Sequence, residues 1–230
     1  MMSLENKVII ITGASKGLGR ETAIEAARSG AAVAICSRNA YEIKKVADEL
    51  SRYSKQVLAV EADVSNEKAV KKFVAETFER FGAIDVLINN AAVFENYQIA
   101  DSTLESWQTQ FDNNVTSVFL MIRECLPIMR KQKKGRIISL TTGLARLGAS
   151  GFGAYSASKA ALETLTFSVE EEEYSNGISA AVFNPGVMKT KMQSQGDDPK
   201  EVAPILLNLA SSSNQGQGKV VRVDDWKAND

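Results

Sequence analysis

The feature that most constrains the fold is an alternation, along the whole chain, of short apolar runs with longer amphipathic stretches. The short runs are typical of buried strands, and the stretches between them have helical apolar spacing. Such alternation favours a parallel sheet covered on both faces and joined by right-handed crossovers. The strand-like runs lie at 7–12, 32–36, 56–61, 84–89, 136–141, 178–183 and 219–223, and the helical stretches at 18–29, 40–53, 66–81, 102–131, 153–175 and 199–211. We therefore predict an α/β fold: a single doubly wound, Rossmann-like domain over residues 1–230, with a parallel sheet of about seven strands and helices on both faces.

Composition excludes several classes of function. The 27 basic and 28 acidic residues nearly balance, which argues against nucleic acid as a partner because phosphate binding needs a basic surplus. The chain has no histidine and two cysteines, which excludes histidine triads, histidine metal ligands and cysteine-rich zinc sites, so we expect no metal. Its apolar runs are far shorter than the roughly 20 residues that span a bilayer, and its N-terminus has no apolar signal region. We expect a cytoplasmic protein with no membrane partner.

A glycine-rich turn follows the first strand-like run. Gly13, Gly17 and Gly19 lie directly between that run and the first helical stretch. Glycine allows unusual backbone angles and lets main chain approach a diphosphate, while the following helix N-terminus offers free N–H groups to an anion. A tight turn without a ligand is the alternative. The position between a strand and a helix favours dinucleotide binding.

The end of the second strand-like run indicates which dinucleotide is preferred. An acid at that point would accept a hydrogen bond from the ribose 2′-hydroxyl of NAD. Here the residues are Ser37 and Arg38, and no carboxylate follows until Glu42. Arg38 can form a bidentate contact with a 2′-phosphate, and Lys16 adds a second cation. We predict NADP(H); two solvated surface cations are the alternative.

Tyr155 and Lys159 lie four residues apart, on one face of the helix predicted at 153–175. The lysine charge is expected to lower the pKa of the tyrosine, which would make the phenol a usable general acid for a carbonyl oxygen. Tyr41 and Lys45 have the same spacing, so spacing alone decides nothing. Only Tyr155 is expected near the carboxyl ends of the strands, where ligands bind in this architecture.

Five motifs in this order resemble the classical short-chain dehydrogenases/reductases, from about residue 5 to residue 224. They are Thr12-Gly13-(x)3-Gly17-x-Gly19, Asn89-Asn90-Ala91-Ala92, Asn114, Tyr155-(x)3-Lys159 and Asn184-Pro185-Gly186. The resemblance implies that Tyr155 is the acid/base, that Lys159 holds the nicotinamide ribose and lowers the tyrosine pKa, that Asn114 supports a proton relay and that Thr142 orients the substrate. The implied contacts to NADP(H) are Gly13, Ser15, Lys16, Gly17, Leu18, Gly19, Ser37, Arg38, Asp63, Val64, Asn90, Ala91, Tyr155, Lys159, Pro185, Gly186, Met188 and Thr190.

The sequence departs from the family pattern at four points. The family has serine thirteen residues before the tyrosine, where this chain has Thr142; its methyl group restricts the hydroxyl, and we expect a slower or narrower site, with Thr141 and Ser139 as alternative donors. Ala92 replaces a usual glycine. The substrate-loop segment at about 188–198 is short, which predicts an open site. Asp224-Asp225-Trp226 stands where Gly-Gly is common.

The leading interpretation is an NADPH-dependent reductase that converts a carbonyl to an alcohol, of the 3-oxoacyl thioester or small ketone and aldehyde type, acting on a small-molecule substrate. A non-catalytic NADP(H)-binding redox sensor on the same fold is the alternative. Such sensors can dispense with the tyrosine and the lysine, so the presence of Tyr155 and Lys159 argues for the enzyme. Epimerases and dehydratases on this fold usually need a longer chain.

Two further stretches have structural interpretations. The four glutamates at 170–173 are expected to form a solvated helix face, and the apolar stripe within 102–131 is expected to be core or subunit interface. The family resemblance implies that helices 102–131 and 153–175 pack against a second subunit. We therefore expect a homodimer or homotetramer.

Overall fold

The computed structural model describes residues 4–189, 195–212 and 219–227, and its centre is one parallel sheet of seven strands. The strand order is β3-β2-β1-β4-β5-β6-β7. The order reverses direction between β1 and β4, which creates the crevice where doubly wound sheets bind ligands. The strands are β1 (Val8–Thr12), β2 (Ala32–Ser37), β3 (Val57–Glu61), β4 (Val86–Asn89), β5 (Gly135–Leu140), β6 (Ile178–Asn184) and β7 (Val220–Arg222).

The central strands are buried because helices cover both faces of the sheet. Side chains of β1 alternate between two cores: Ile9 and Ile11 pack in one, and Ile10 in the other. The first core also takes side chains from α1, α2 and α8, and the second from α3, α5 and α7. The helices are α1 (Gly17–Arg28), α2 (Ala40–Leu50), α3 (Glu67–Phe81), α4 (Leu104–Phe111), α5 (Ser117–Gln132), α6 (Leu144–Leu147), α7 (Gly153–Glu173), α8 (Pro199–Ser211) and α9 (Val223–Lys227). The doubly wound, Rossmann-like prediction is confirmed.

The long helical stretch predicted at 102–131 is divided in the structure. A five-residue π-helical turn, Asp112–Thr116, separates α4 from α5. Such turns occur mostly as local interruptions of α-helices, frequently at functional sites. The turn contains Asn114, whose side chain is fully buried.

The last apolar run and the segment after it also differ from expectation. β7 has only three residues, and the chain turns at once into α9, which contains Asp224, Asp225 and Trp226. Val223 is fully buried and packs with α8 in the first core. The departure from a Gly-Gly ending therefore coincides with a short closing helix.

The prediction that residues 170–173 form a solvated helix face is wrong for two of the four glutamates. Glu173 is fully buried and receives hydrogen bonds from Arg130 Nε and Asn176 Nδ2, both at 2.9 Å. Glu170 is buried and accepts a hydrogen bond from the main-chain N–H of Ala180. One side of the acidic run therefore anchors α7 to α5 and β6, while Glu171 and Glu172 are exposed.

None of the helices in the described ranges is long and apolar enough to cross a membrane.

Candidate active site

The turn between β1 and α1 is packed so closely at two of its glycines that neither position has room for a side chain. Gly13 has a positive φ of 65°, and a Cβ built on it would lie 2.7 Å from the Cα of Ala91. A Cβ on Gly19 would lie 2.3 Å from Asn90 Nδ2. Both glycines are therefore required by the approach of the loop that follows β4.

Asn90 fastens that loop to the end of β1. Its side-chain Nδ2 donates to the main-chain oxygens of Thr12 at 2.9 Å and Gly13 at 3.1 Å. In return, Thr12 Oγ1 accepts hydrogen bonds from the main-chain N–H groups of Asn90 and Ala91, at 3.1 and 3.0 Å. The two strand ends on either side of the topological switch are thus held as one unit.

A cavity of about 430 Å³ opens beside this unit, at the carboxyl ends of β1, β2, β3 and β4. Its volume is in the range of ordinary small-molecule sites. Nine of the predicted cofactor contacts line it: Gly13, Ser15, Lys16, Ser37, Arg38, Asp63, Val64, Asn90 and Ala91. Sequence reasoning did not select the other lining residues, which are Cys36, Asn39, Glu42, Ala62, Ala92, Val93 and Asn113. Gly17 and Gly19 lie in the first turn of α1, and Leu18 packs into the first core.

The rim of the cavity carries cations at the predicted positions. Lys16 and Arg38 are exposed and line the cavity. In the part of the chain that the structure describes, neither side chain is paired with a carboxylate. Glu42 lies on the same rim, at the beginning of α2, where Asn39 Oδ1 caps the helix by accepting from Glu42 N at 3.0 Å. The cavity therefore offers two free cations and one carboxylate to a ligand.

Lys159 and Tyr155 lie in the first two turns of α7, beside the carboxyl end of β5. Lys159 is almost fully buried, and its Nζ donates to the main-chain oxygen of Leu140 at 2.8 Å. Lys159 Nζ lies 6.0 Å from the centroid of the Tyr155 ring. Within the described ranges, no group is hydrogen bonded to the Tyr155 hydroxyl, which leaves it available to an incoming ligand.

The expectation that Lys159 lowers the pKa of Tyr155 is wrong for the protein by itself. Burial raises the pKa of Tyr155 above its ordinary value, because the phenolate is harder to solvate than the phenol. Burial also lowers the pKa of Lys159 to about 8, so that the lysine keeps most of its charge at pH 7 and loses it as the pH rises through 8. The phenol is therefore the stable form of Tyr155, and it can donate a proton.

Asn114 uses its side chain to connect the loop after β4 with α7. Its Oδ1 accepts from Val93 N at 2.9 Å, and its Nδ2 donates to Val93 O at 2.9 Å and to Ser158 Oγ at 3.0 Å. Ser158 Oγ in turn donates to the main-chain oxygen of Tyr155 at 2.8 Å. Asn114 thus positions the tyrosine helix, whereas the residue before it, Asn113, is among those that line the cavity.

Thr142 is the best placed of the three hydroxyl donors considered from sequence. Its Oγ1 accepts from Leu144 N at 3.4 Å, which leaves its own proton for donation. Thr141 Oγ1 is buried and donates to Glu163 Oε1 at 2.7 Å, so its proton is already committed. Ser139 is fully buried within β5, near Asn89 Nδ2 at 3.5 Å.

The chain turns sharply after β6. Asn184 Oδ1 accepts from Gly186 N at 3.0 Å, Pro185 is buried, and Gly186 has a positive φ of 73°. Met188 packs against the first core and forms an isolated bridge with Asp197. The described ends of the segment predicted at 188–198 are therefore paired with each other. Thr190 lies outside the described residues.

Two aromatic residues near Tyr155 were missed by sequence reasoning. The ring of Phe94 lies 6.0 Å from the ring of Tyr155, edge to face, and 6.1 Å from the ring of Phe152, in a stacked arrangement. Neither belongs to a motif, and they are 58 residues apart in sequence. Phe152 lies three residues before Tyr155, which is the only sequence signal that could have indicated it.

Comparison with known proteins gives a consistent result. The sequence model of a protein family described as short chain dehydrogenase matches residues 7–201. The chain is 34% identical over 193 residues to a 3-oxoacyl-[acyl-carrier-protein] reductase of Synechocystis sp., covering 84% of this chain and 78% of the relative. It is 32% identical over 223 residues to an NADPH-dependent pterin aldehyde reductase of Arabidopsis thaliana, covering 91% of each. It is also 32% identical over 224 residues to a (2S)-[(R)-hydroxy(phenyl)methyl]succinyl-CoA dehydrogenase subunit of Thauera aromatica, covering 97% of this chain and 87% of the relative.

Proposed function

Because the chain belongs to the short-chain dehydrogenase family, whose members are oxidoreductases that use nicotinamide cofactors on small molecules, we propose that it is an NADPH-dependent carbonyl reductase. The relatives named above include a 3-oxoacyl-[acyl-carrier-protein] reductase and an NADPH-dependent pterin aldehyde reductase. The observation that carries the proposal is the pairing, on α7, of an unbonded phenol, Tyr155, with the buried ammonium of Lys159. Together they offer a proton donor and a positive charge beside the strand ends.

The residues around the cavity fit a dinucleotide. Gly13 lines the cavity with main chain alone, and a Cβ there would collide with Ala91. The N-terminus of α1 has no side-chain cap from Lys16, whereas Asn39 and Asn66 cap α2 and α3. Its free N–H groups can therefore bind a diphosphate.

Charge supports NADPH over NADH. The proposed ligands of the 2′-phosphate are Arg38 and Lys16, the two unpaired cations of the cavity rim. A guanidinium can bind a phosphate through two parallel hydrogen bonds, which adds geometric selectivity. Glu42, on the same rim, is the group that would instead favour the 2′-hydroxyl of NADH.

The remaining proposed contacts surround the other parts of the cofactor. Asp63 and Val64 lie on the adenine side of the cavity, while Pro185, Gly186 and Met188 form the turn after β6 that would face the nicotinamide. Asp63 is oriented by Ser65, whose N–H and hydroxyl donate to Asp63 Oδ1 at 3.0 and 2.7 Å.

In the proposed reaction, the chain supplies the proton and the orientation. The bound cofactor supplies the hydride that reduces the carbonyl carbon. Thr142 donates a hydrogen bond to the carbonyl oxygen, and Tyr155 transfers its phenolic proton to that oxygen as negative charge develops on it. Lys159, held beside the end of β5 by its hydrogen bond to Leu140, holds the nicotinamide ribose. Asn114 supports the proton relay by holding α7 against the loop after β4.

We also propose assembly as a homodimer or homotetramer. Exposed apolar side chains on α4 and α5, Leu104, Trp107 and Phe119, support this arrangement. Sedimentation analysis of the wild type and of Phe119→Glu tests it; a monomeric wild type would contradict it.

The function is tested by NADPH consumption, compared with NADH, over a panel of acyl thioesters, diketones, quinones and aldehydes. Turnover of at least one class with preference for NADPH is expected. Tight NADPH binding without turnover of any class would contradict the reductase and favour the non-catalytic redox sensor.

A further inference from the structure

Tyr155 is bordered by a small aromatic cluster. Phe94 contacts Tyr155 edge to face, with ring centroids 6.0 Å apart and an angle of 61° between the planes. Phe94 also lies 6.1 Å from Phe152, with the planes inclined by 24°. These separations lie within the range in which aromatic pairs attract each other. The three rings therefore form one continuous aromatic surface that includes the proposed proton donor.

Two loops that pack tightly against each other hold this surface in place. Tyr97 N donates to Gly151 O at 3.0 Å, and Tyr97 forms a parallel bridge with Phe152. A Cβ on Gly151 would lie 2.7 Å from Asn96 Oδ1, and one on Gly153 would lie 2.4 Å from Ile99 Cδ1. Because main-chain contacts join the two loops, the aromatic surface is preformed.

Phe94 is nevertheless an exposed residue. Its fractional exposure is 56%, although it lies against two other rings. A large apolar side chain held in that position, beside the proposed proton donor, can bind apolar ligand surface. A further ring stacking on Phe94 gains aromatic contact in addition to the burial of apolar area.

We propose that the substrate is an aromatic carbonyl compound, with the carbonyl group bonded directly to a ring that stacks on Phe94. This inference rests on the proposed reductase function and specifies its substrate class. Stacking on Phe94 keeps the ring beside Tyr155, and a directly attached carbonyl is then close to the phenol hydroxyl. In the balanced reaction, NADPH, a proton and the aromatic aldehyde or ketone give NADP⁺ and the corresponding alcohol, with the proton passing through Tyr155.

The test compares benzaldehyde with cyclohexanecarbaldehyde, which differ only in the saturation of the ring. The measured quantity is the ratio of kcat/KM for the aromatic aldehyde to that for the saturated one. Phe94→Leu is expected to lower this ratio about two- to twelve-fold, since it removes one aromatic pair. Phe94→Tyr should keep the ratio, because it keeps the ring. The matched control is Phe78→Leu, at an exposed phenylalanine on α3, which should leave the ratio unchanged.

A binding measurement separates this inference from the proposed function. Saturation-transfer NMR reports contact between the protein and the ring protons of benzyl alcohol without any turnover. The signal should be strong for the wild type and Phe94→Tyr, and should fall in Phe94→Leu. An unchanged kcat/KM ratio together with an unchanged signal in Phe94→Leu would overturn the aromatic assignment while the reductase stands. Absence of turnover with benzaldehyde, while another class of the panel is reduced, would overturn the aromatic assignment and leave the reductase standing. Absence of turnover with every class would count against the reductase, and the NMR comparison would then decide whether the ring site exists.

Discussion

The ammonium group of Lys159 donates a hydrogen bond of 2.8 Å to the main-chain oxygen of Leu140, the last residue of β5. This contact fixes α7 relative to the sheet and removes the lysine almost completely from water. The loss of hydration lowers the pKa of Lys159 to about 8. The contact therefore positions the tyrosine helix and also brings the loss of the lysine charge down to about pH 8.

The first prediction concerns the pH dependence of stability. Between about pH 8 and pH 10.5, the unfolded chain holds a proton on Lys159 that the folded chain has lost, so the free energy of unfolding should rise with pH in this window. Lys159→Met should remove that rise, which amounts to about 3 kcal/mol at most. Urea denaturation at several pH values measures the difference between the two proteins. Lys44→Met, at an exposed position of α2, should retain the wild-type slope; an equal slope in Lys159→Met would contradict the lowered pKa.

The second prediction concerns the proton donor. Tyr155→Phe should lower kcat by about 10² to 10⁴, the usual contribution of a general acid, because the ring stays in place while the proton is lost. The Kd for NADPH, measured by fluorescence titration, should change little. Tyr41→Phe, at an exposed tyrosine beside Lys45, is the control and should retain full activity. Near-normal turnover by Tyr155→Phe would exclude the assigned role.

The third prediction concerns the 2′-phosphate. Arg38→Asp should weaken NADPH about ten-fold or more and affect NADH much less, since it replaces a charged hydrogen-bond donor by a repelling carboxylate. Calorimetric titration with both cofactors measures the selectivity. Arg52→Asp makes the same change of charge at an exposed residue after α2 and should alter neither affinity. Equal losses for NADPH and NADH in Arg38→Asp would remove the phosphate contact.

The fourth prediction concerns the orienting hydroxyl. Thr142→Ser should maintain or raise kcat, because it keeps the donor and removes the restricting methyl group, whereas Thr142→Ala should lower kcat about ten-fold or more. Steady-state rates of the two variants give the comparison. If Thr142→Ala is as active as the wild type while Thr141→Ala is not, the donor is the neighbouring threonine, which the structure pairs with Glu163.

The fifth prediction concerns the buried side of the acidic run. Glu173→Gln should lower the free energy of unfolding by about 1.5 to 3 kcal/mol, since it weakens charged hydrogen bonds to Arg130 and Asn176. Arg130 holds the pKa of Glu173 below its ordinary value, so this stabilisation is present above that value and is lost as the pH falls through the lowered pKa. Glu172→Gln, one residue earlier and exposed, should change stability by less than about 0.5 kcal/mol. Thermal or urea unfolding at neutral pH distinguishes the pair, and equal effects would mean that burial of Glu173 contributes nothing.

The parts of the fold predicted from sequence depend on local patterns. Val8–Thr12 is a run of β-branched residues, and Gly13 and Gly19 have the spacing of a tight strand-to-helix turn, so the strand, the turn and its glycines could all be predicted. The same logic selected Arg38, because the residue after a strand end faces the ligand crevice.

The parts that were missed depend on contacts distant in sequence. Glu173 is buried because Arg130, 43 residues earlier, reaches it, and no local pattern marks that pair. Phe94 becomes a neighbour of Tyr155 only when two loops pack together. The direction of the Tyr155 pKa was also missed, since spacing indicates a nearby lysine but not the burial that outweighs it. The oligomeric state and the cytoplasmic location stay predictions.

The hydrogen bonds between Asn90 and the end of β1 join residues that are 78 positions apart in sequence. The first strand, turn and helix contain the glycine motif, but the residues that pack against it, Asn90 and Ala91, come from the loop after β4. Closing so long a segment of chain is a late and entropically costly step, so we expect cofactor affinity to emerge only after β4 has inserted beside β1. During synthesis, a nascent chain that has not yet reached Ala91 would lack the site. A minimal nucleotide-binding module cut from this protein would likewise have to extend at least that far.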